Sequence, residues 1–196
     1  ELRGVPLAWA SAVGVEGPWY YEPEDLGFFR TFGGGLLTTC GIEHSLFMAE
    51  DSAAQYHYPP KQRETFGLHG RISNRPARLA GYGERWEGDA CVLWAEGETQ
   101  VATVFGEQLV LRRRIEARVG EAQLHVHDVG ENVGHDLTPP MLLYHVNAGF
   151  PIVDEGSDVL VPARSGEPRG DHAVEGYRTL EGPAPMFVEQ VFEHDN

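Results

Sequence analysis

Several things are scarce in this 196-residue sequence, and each scarcity removes a class of protein. There are two cysteines, Cys40 and Cys91, too few for a disulfide framework. The two could pair, but a reduced state suits them at least as well, and a cytoplasmic location is expected. Basic residues are outnumbered, 15 against 30 acids, giving a formal charge of −15. That balance argues against a nucleic-acid partner and against anionic membrane surfaces. No apolar run reaches 18 residues, so no membrane-spanning helix is expected. The N-terminus has neither the basic nor the apolar region of a signal peptide. No internal repeat of 20–50 residues, low-complexity tract or extended helical pattern is visible. The chain starts at Glu1 rather than Met and stops at Phe192-Glu193-His194-Asp195-Asn196, just after a strand-like run. Both ends read as cut, and a single domain over 1–196 lacking some terminal strands is expected.

What is present describes a folded β protein. Hydrophobic residues make up 41% and aromatics 10%, enough for a sizeable core. Between Pro76 and Val129, strand-length runs recur about every ten residues, separated by glycine-containing turns. They include Ala90–Ala95, Gln100–Phe105, Gln108–Ala117 and Gln123–Val129. This rhythm predicts an all-β, mainly antiparallel fold, a sandwich or barrel. In the third run, Leu109, Leu111, Arg113 and Ile115 share one face; Val110, Arg112, Arg114 and Glu116 share a mostly solvated one. Arg112-Arg113-Arg114 is either a phosphate-binding cluster or a strand with two arginines in water and one partly covered. Leu36–Gly41, Asp158–Pro162 and Phe187–Phe192 read as further short strands. Residues 1–30, 43–66 and 163–185 read as irregular, the second as an excursion over the surface. Gly33-Gly34-Gly35 lacks the Gly-Lys-Ser/Thr of a phosphate loop and reads as a bulge or close backbone approach.

The most informative stretch runs from Met141 to Ser157, MLLYHVNAGFPIVDEGS. A short apolar run after Pro139-Pro140 predicts a buried strand. His145 and Asn147, two residues apart, fall on one face of it, and Asp154-Glu155-Gly156 turns away. A second histidine, His69, lies between Gly67 and Gly70, with Arg71 directly after. Either imidazole could be a core or turn histidine bonded to backbone; either could also titrate near neutral pH and move a proton. Arg71 and Asn147 would supply directional hydrogen bonds. No Gly-x-Ser-x-Gly elbow or activated cysteine is present, so nucleophilic catalysis is set aside. His125 and His127 with Glu131 resemble the first half of a cupin metal motif. Its glycine spacings differ, however, and the second half, a Pro-Gly segment leading to a third His, is missing. Two histidines on a solvated strand face account for the pattern, and no metal or other cofactor is expected.

A family resemblance connects these pieces. Gly67-Leu68-His69-Gly70-Arg71-Ile72-Ser73-Asn74 and Leu142-Leu143-Tyr144-His145-Val146-Asn147-Ala148-Gly149-Phe150-Pro151 resemble the galactose mutarotase (aldose 1-epimerase) superfamily, most closely its DUF4432 branch. So do Gly34–Gly41, Gly106–Leu109 and Asp154–Ser157, in the branch's order along nearly the whole chain. The resemblance implies a large β-sandwich and a small-molecule sugar as partner. It implies interconversion of sugar anomers, with His145 protonating the ring oxygen and His69 holding the substrate and steadying charge. Arg71, Asn147 and Glu155 would bind hydroxyls. The superfamily's catalytic Glu lies well downstream of the strand-borne His, and no residue here is assigned to it. A sugar-binding relative without catalysis is therefore the alternative, and a cupin-like metal enzyme the second.

Overall fold

The structure is a computed structural model that describes residues 3–54, 56–171 and 177–195. Its strands, in chain order, are β1 (Leu37–Cys40), β2 (Ala49–Ser52), β3 (Arg63–Phe66), β4 (Arg78–Glu87), β5 (Ala90–Ala102), β6 (Gln108–Arg118), β7 (His125–Asn132), β8 (Leu143–Val146), β9 (Ser165–Pro168) and β10 (Phe192–Asp195). All pairings between these strands are antiparallel, and one isolated bridge, Gly41 with Gly70, is parallel. The helical content described is three single turns of 3-10 helix, at Pro18–Tyr20, Gly27–Arg30 and Ile72–Asn74. The all-β, mainly antiparallel class is thus observed. Among the described residues no helix is long and apolar enough to cross a membrane.

The chain divides into two compact units, Ala10–Val146 and a second made of Glu1–Trp9 with Asn147–Asn196. The larger unit is built on the four-stranded meander β4-β5-β6-β7. The expected run at Ala90–Ala95 and the first half of the one at Gln100–Phe105 form one 13-residue strand, because Gly97 sits in the ladder opposite Arg113 without breaking it; Val104 and Phe105 already belong to the turn. Each face of the sheet has a different job. Val101, Leu109 and Leu111 are 3–4% exposed and pack with Ile42 and Ile72 into one core cluster. On the other face, Arg112 pairs with Glu98 and Glu131, and Arg114 with Glu96 and Glu116. The Arg114 guanidinium also lies over the Trp94 ring at 4.4 Å. That ring rests on β4 where Gly81 and Gly83 leave room: a Cβ at either would stand 3.2–3.3 Å from the indole.

Two shorter ribbons complete the larger unit. β1 pairs with β8, with Thr38 opposite His145 and Cys40 opposite Leu143. β2 pairs with β3, Ala49 opposite Phe66. The second ribbon corrects the reading of 43–66 as a surface excursion. Arg63–Phe66 alternates exposed and buried, and Glu64 and Phe66 turn inward alongside Ala53 and Tyr56. The alternation was hidden because one of its inward residues is a glutamate.

The smaller unit holds β9 paired with β10, Arg169 reaching Glu193 at 2.6 Å across them. Isolated bridges join Ala8 to Ala148 and Asp158 to Thr179. The strand expected at Asp158–Pro162 is only that second bridge. β9 lies inside the stretch read as loop, and of that stretch residues 172–176 lie outside the described residues. The C-terminal strand starts at Phe192, where the expected one stops.

Candidate functional site

His69 sits just after β3, and its backbone is held in place from several sides. It has φ +62°, a left-handed conformation that costs free energy in a non-glycine residue. Its N–H donates to the Leu46 carbonyl and its carbonyl accepts from Gly41 N–H, both at 2.8 Å. Gly70 follows with φ +70°, and a Cβ there would stand 2.4 Å from the His44 carbonyl oxygen and 2.6 Å from that of Gly41. Only glycine fits this crossing. The Tyr21 hydroxyl donates to the Gly70 carbonyl at 2.9 Å.

His145 arrives from β8. Strand alternation sends it and Leu143 one way, and Tyr144 and Val146 the other. Leu143 packs against the buried cluster of Phe28, Cys40 and Leu68. The two imidazoles meet edge to face, ring centres 5.5 Å apart and planes at 75°. Two phenylalanines close the circuit. Phe32 is edge-on to His145 at 5.1 Å, Phe28 edge-on to His69 at 5.1 Å, and the two phenyl rings stack at 4.7 Å. Four rings therefore surround one spot, with Cys40 fully buried in the same cluster.

Electrostatics follow from this packing. Burial pushes the His69 imidazole below the usual histidine range, and His145 and His44 push it further the same way. A proton on His145, this close, therefore disfavours one on His69. Nδ1 of His69 is shielded and finds no hydrogen-bond partner among the described residues. An unmet buried polar atom is costly, and a catalytic role is one of the reasons for which a folded protein keeps one.

Arg71 is anchored on carboxylates. Oε1 of Glu43 accepts from both Arg71 N–H, at 3.1 Å, and Nη1, at 3.3 Å. Nη2 donates to Glu64 Oε1 at 3.2 Å and to the Thr65 carbonyl at 3.3 Å. The side chain remains 27% exposed, and the guanidinium sits 5.9 Å from the Phe66 ring centre. Glu43, Glu64, His44, Phe28 and Phe32 escaped the sequence reading. The Phe28/Phe32 spacing and the alternation of Glu64 with Phe66 carried a signal for three of them.

Asn147 and Glu155 belong to the smaller unit. The strand expected to carry both His145 and Asn147 ends at Val146. Asn147 is buried and its carbonyl accepts from Trp9 N–H at 2.8 Å. Glu155 is exposed in the Asp154–Gly156 turn, its N–H donating to Asp154 Oδ1 at 2.8 Å. An open cleft of about 700 Å³ in the larger unit is lined by the Tyr21–Arg30 segment, including Tyr21, Glu24, Leu26 and Phe29 but neither imidazole.

His125, His127 and Glu131 lie exposed on the solvated face of β7, where Glu131 is engaged by Arg112. Among the described residues no three His, Cys, Asp or Glu side chains are grouped to hold a metal ion. The three consecutive arginines are each committed to carboxylates, two on the solvated face and Arg113 with Asp128 on the other. No curated protein and no solved structure matches the chain. The family model for a domain of unknown function, DUF4432, matches residues 1–196, and the chain belongs to that family.

Proposed function

We propose that this chain acts on sugars in the manner of a mutarotase, interconverting anomers without a cofactor. The observation that carries the reading is the meeting of His69 and His145. Separated by 75 residues of sequence, they lie 5.5 Å apart between two phenyl rings. The galactose mutarotase resemblance requires those two histidines to act on one substrate.

The residues suggest a division of labour. His145 gives a proton to the ring oxygen as the C1–O5 bond breaks, and takes it back when the ring recloses on the other face of C1. The resemblance gives the removal and return of the anomeric hydroxyl's proton to a carboxylate, a role to which no residue of this chain is assigned. His69, kept neutral by burial, offers a hydrogen bond without placing a second cation beside the acid. Arg71 keeps guanidinium donors beyond those used by Glu43 and Glu64 and is partly exposed, so it can bind hydroxyls. The reading takes Asn147 and Glu155 as further hydroxyl-binding residues from the sequence alone. Phe32, partly exposed beside His145, suits the apolar face of a pyranose, while Phe28 is buried behind it.

A second reading, sugar binding without turnover, draws support from the same carboxylates. Glu43 and Glu64, the acids nearest this turn in the hydrogen-bond network, are both tied to Arg71. Exchange NMR between anomers, on a panel of aldoses, separates the two. Wild-type protein is expected to accelerate exchange, and His145→Ala to lose about 10²–10⁴-fold of that acceleration. Line broadening of a sugar without faster exchange would favour the binding protein. A panel showing neither sinks the proposal.

A further inference from the structure

β8 is four residues long, and its hydrogen-bonded partner is β1, not a strand of the four-stranded sheet. A two-stranded ribbon this short is marginal alone and takes its position from what it docks on. One face of β8 docks through Leu143 and His145 into the aromatic cluster. The other face presents Tyr144, whose hydroxyl donates to Asp128 Oδ2 on β7 at 2.7 Å. Asp128 in turn receives Arg113 in two prongs, Nε to Oδ1 at 2.8 Å and Nη2 to Oδ2 at 2.6 Å. Arg113 and Asp128 stand directly opposite in the β6–β7 ladder, so the sheet itself fixes the pair. The Asp128 side chain is 5% exposed. Burial pushes its carboxyl up, but the bonds from Arg113 and Tyr144 outweigh this and hold it below the usual range. It remains an ionised acceptor, the stronger kind. The Tyr144 hydroxyl, raised by that bond, keeps its proton.

We infer that Tyr144, anchored on the Asp128–Arg113 pair, is a positioning residue that sets His145 in the site from behind. The inference rests on the reading of His145 as a working residue. Tyr144 touches no reacting atom; it acts through the strand it shares with His145. Displacing a catalytic group by about 1 Å can cost on the order of 100-fold in rate, so a strut one residue away has leverage.

The test uses the full chain with Tyr144→Phe and Asp128→Asn, read by ¹H–¹⁵N spectra of the histidine rings and by anomer exchange. The exposed His57, paired with Asp136, serves as a control ring. Tyr144→Phe is expected to shift the His145 ring signals, leave those of His57 in place and slow exchange about tenfold at unchanged KM. Asp128→Asn keeps an acceptor for Tyr144 but weakens the ion pair, and is expected to do the same in smaller measure. Unmoved His145 signals in both variants overturn the strut. So do signals that move only together with those of His57, since that reports general loosening. If wild-type protein accelerates no anomer exchange, the mutarotase reading falls separately, and the His145 signals still decide the strut.

Discussion

Glu43 has a side chain only 3% exposed, and both of its bonds from Arg71 fall on a single oxygen, leaving Oε2 buried without a partner among the described residues. Burial raises its carboxyl above the ordinary value. Glu107 adds to the rise, while its own backbone bond and Arg71 oppose it. The consequence for stability has a definite sign. Above the unfolded value of 4.5 the unfolded chain releases this proton while the folded chain keeps it, so stability falls as pH rises toward the folded pKa. Glu43→Gln keeps an acceptor oxygen for Arg71 and cannot ionise. Its melting temperature relative to wild type is therefore expected to improve as pH is raised from 4 to 7. A difference that stays flat or runs the other way would show that Glu43 ionises as readily in the fold as in water.

At the scale of the strand, Leu111 and Arg112 are neighbours on β6 with opposite surroundings. Leu111 is 4% exposed inside the Ile42–Ile72–Val101–Leu109 cluster. Leu111→Ala removes buried methyl groups and leaves a cavity, a loss of about 2–5 kcal/mol. Arg112 makes two ion pairs, but in water, where such pairs contribute little. Urea midpoints should therefore drop several-fold more for Leu111→Ala than for Arg112→Ala; equal drops would mean that the charged face is itself a packed layer. The contrast follows from period-two alternation along a long strand, but the pattern fails at Val110, 6% exposed on the charged face, and at Ile115, 39% exposed on the apolar one. Short elements were less readable. The apolar run starts two residues ahead of β8, since Met141-Leu142 extend it without joining the ladder. β3 is hard to read because Glu64 occupies an inward position that the pattern reserves for apolar side chains, and β2 because all four of its residues are exposed. His69 and His145 were singled out by neighbouring glycines and by the family pattern. For Phe28 and Phe32 the four-residue spacing hints that they share a side, but nothing local records that this side closes on the two histidines, 37 and 113 residues beyond Phe32.

For the molecule as a whole, two pH effects overlap and must be separated. With a net charge of −15 and a sequence pI of about 4.9, acidification from neutral pH relieves self-repulsion throughout the chain. His69 opposes this from within. Its imidazole lies below the unfolded value of 6.5, chiefly through burial and then through His145 and His44. As pH falls through 6.5 the unfolded chain binds this proton first, so the folded state loses stability. A wild-type melting curve against pH mixes the two effects and assigns neither. His69→Asn separates them, because asparagine tolerates the left-handed backbone at this position and carries no titrating ring. The charge term is common to both proteins and cancels in their difference. Melting temperatures measured between pH 7.5 and 5.5 should therefore draw together or cross in the variant's favour as pH falls. A constant gap would mean that His69 takes up its proton as easily in the fold as in the open chain. The mutarotase reading would then lose the neutral imidazole on which its charge separation depends.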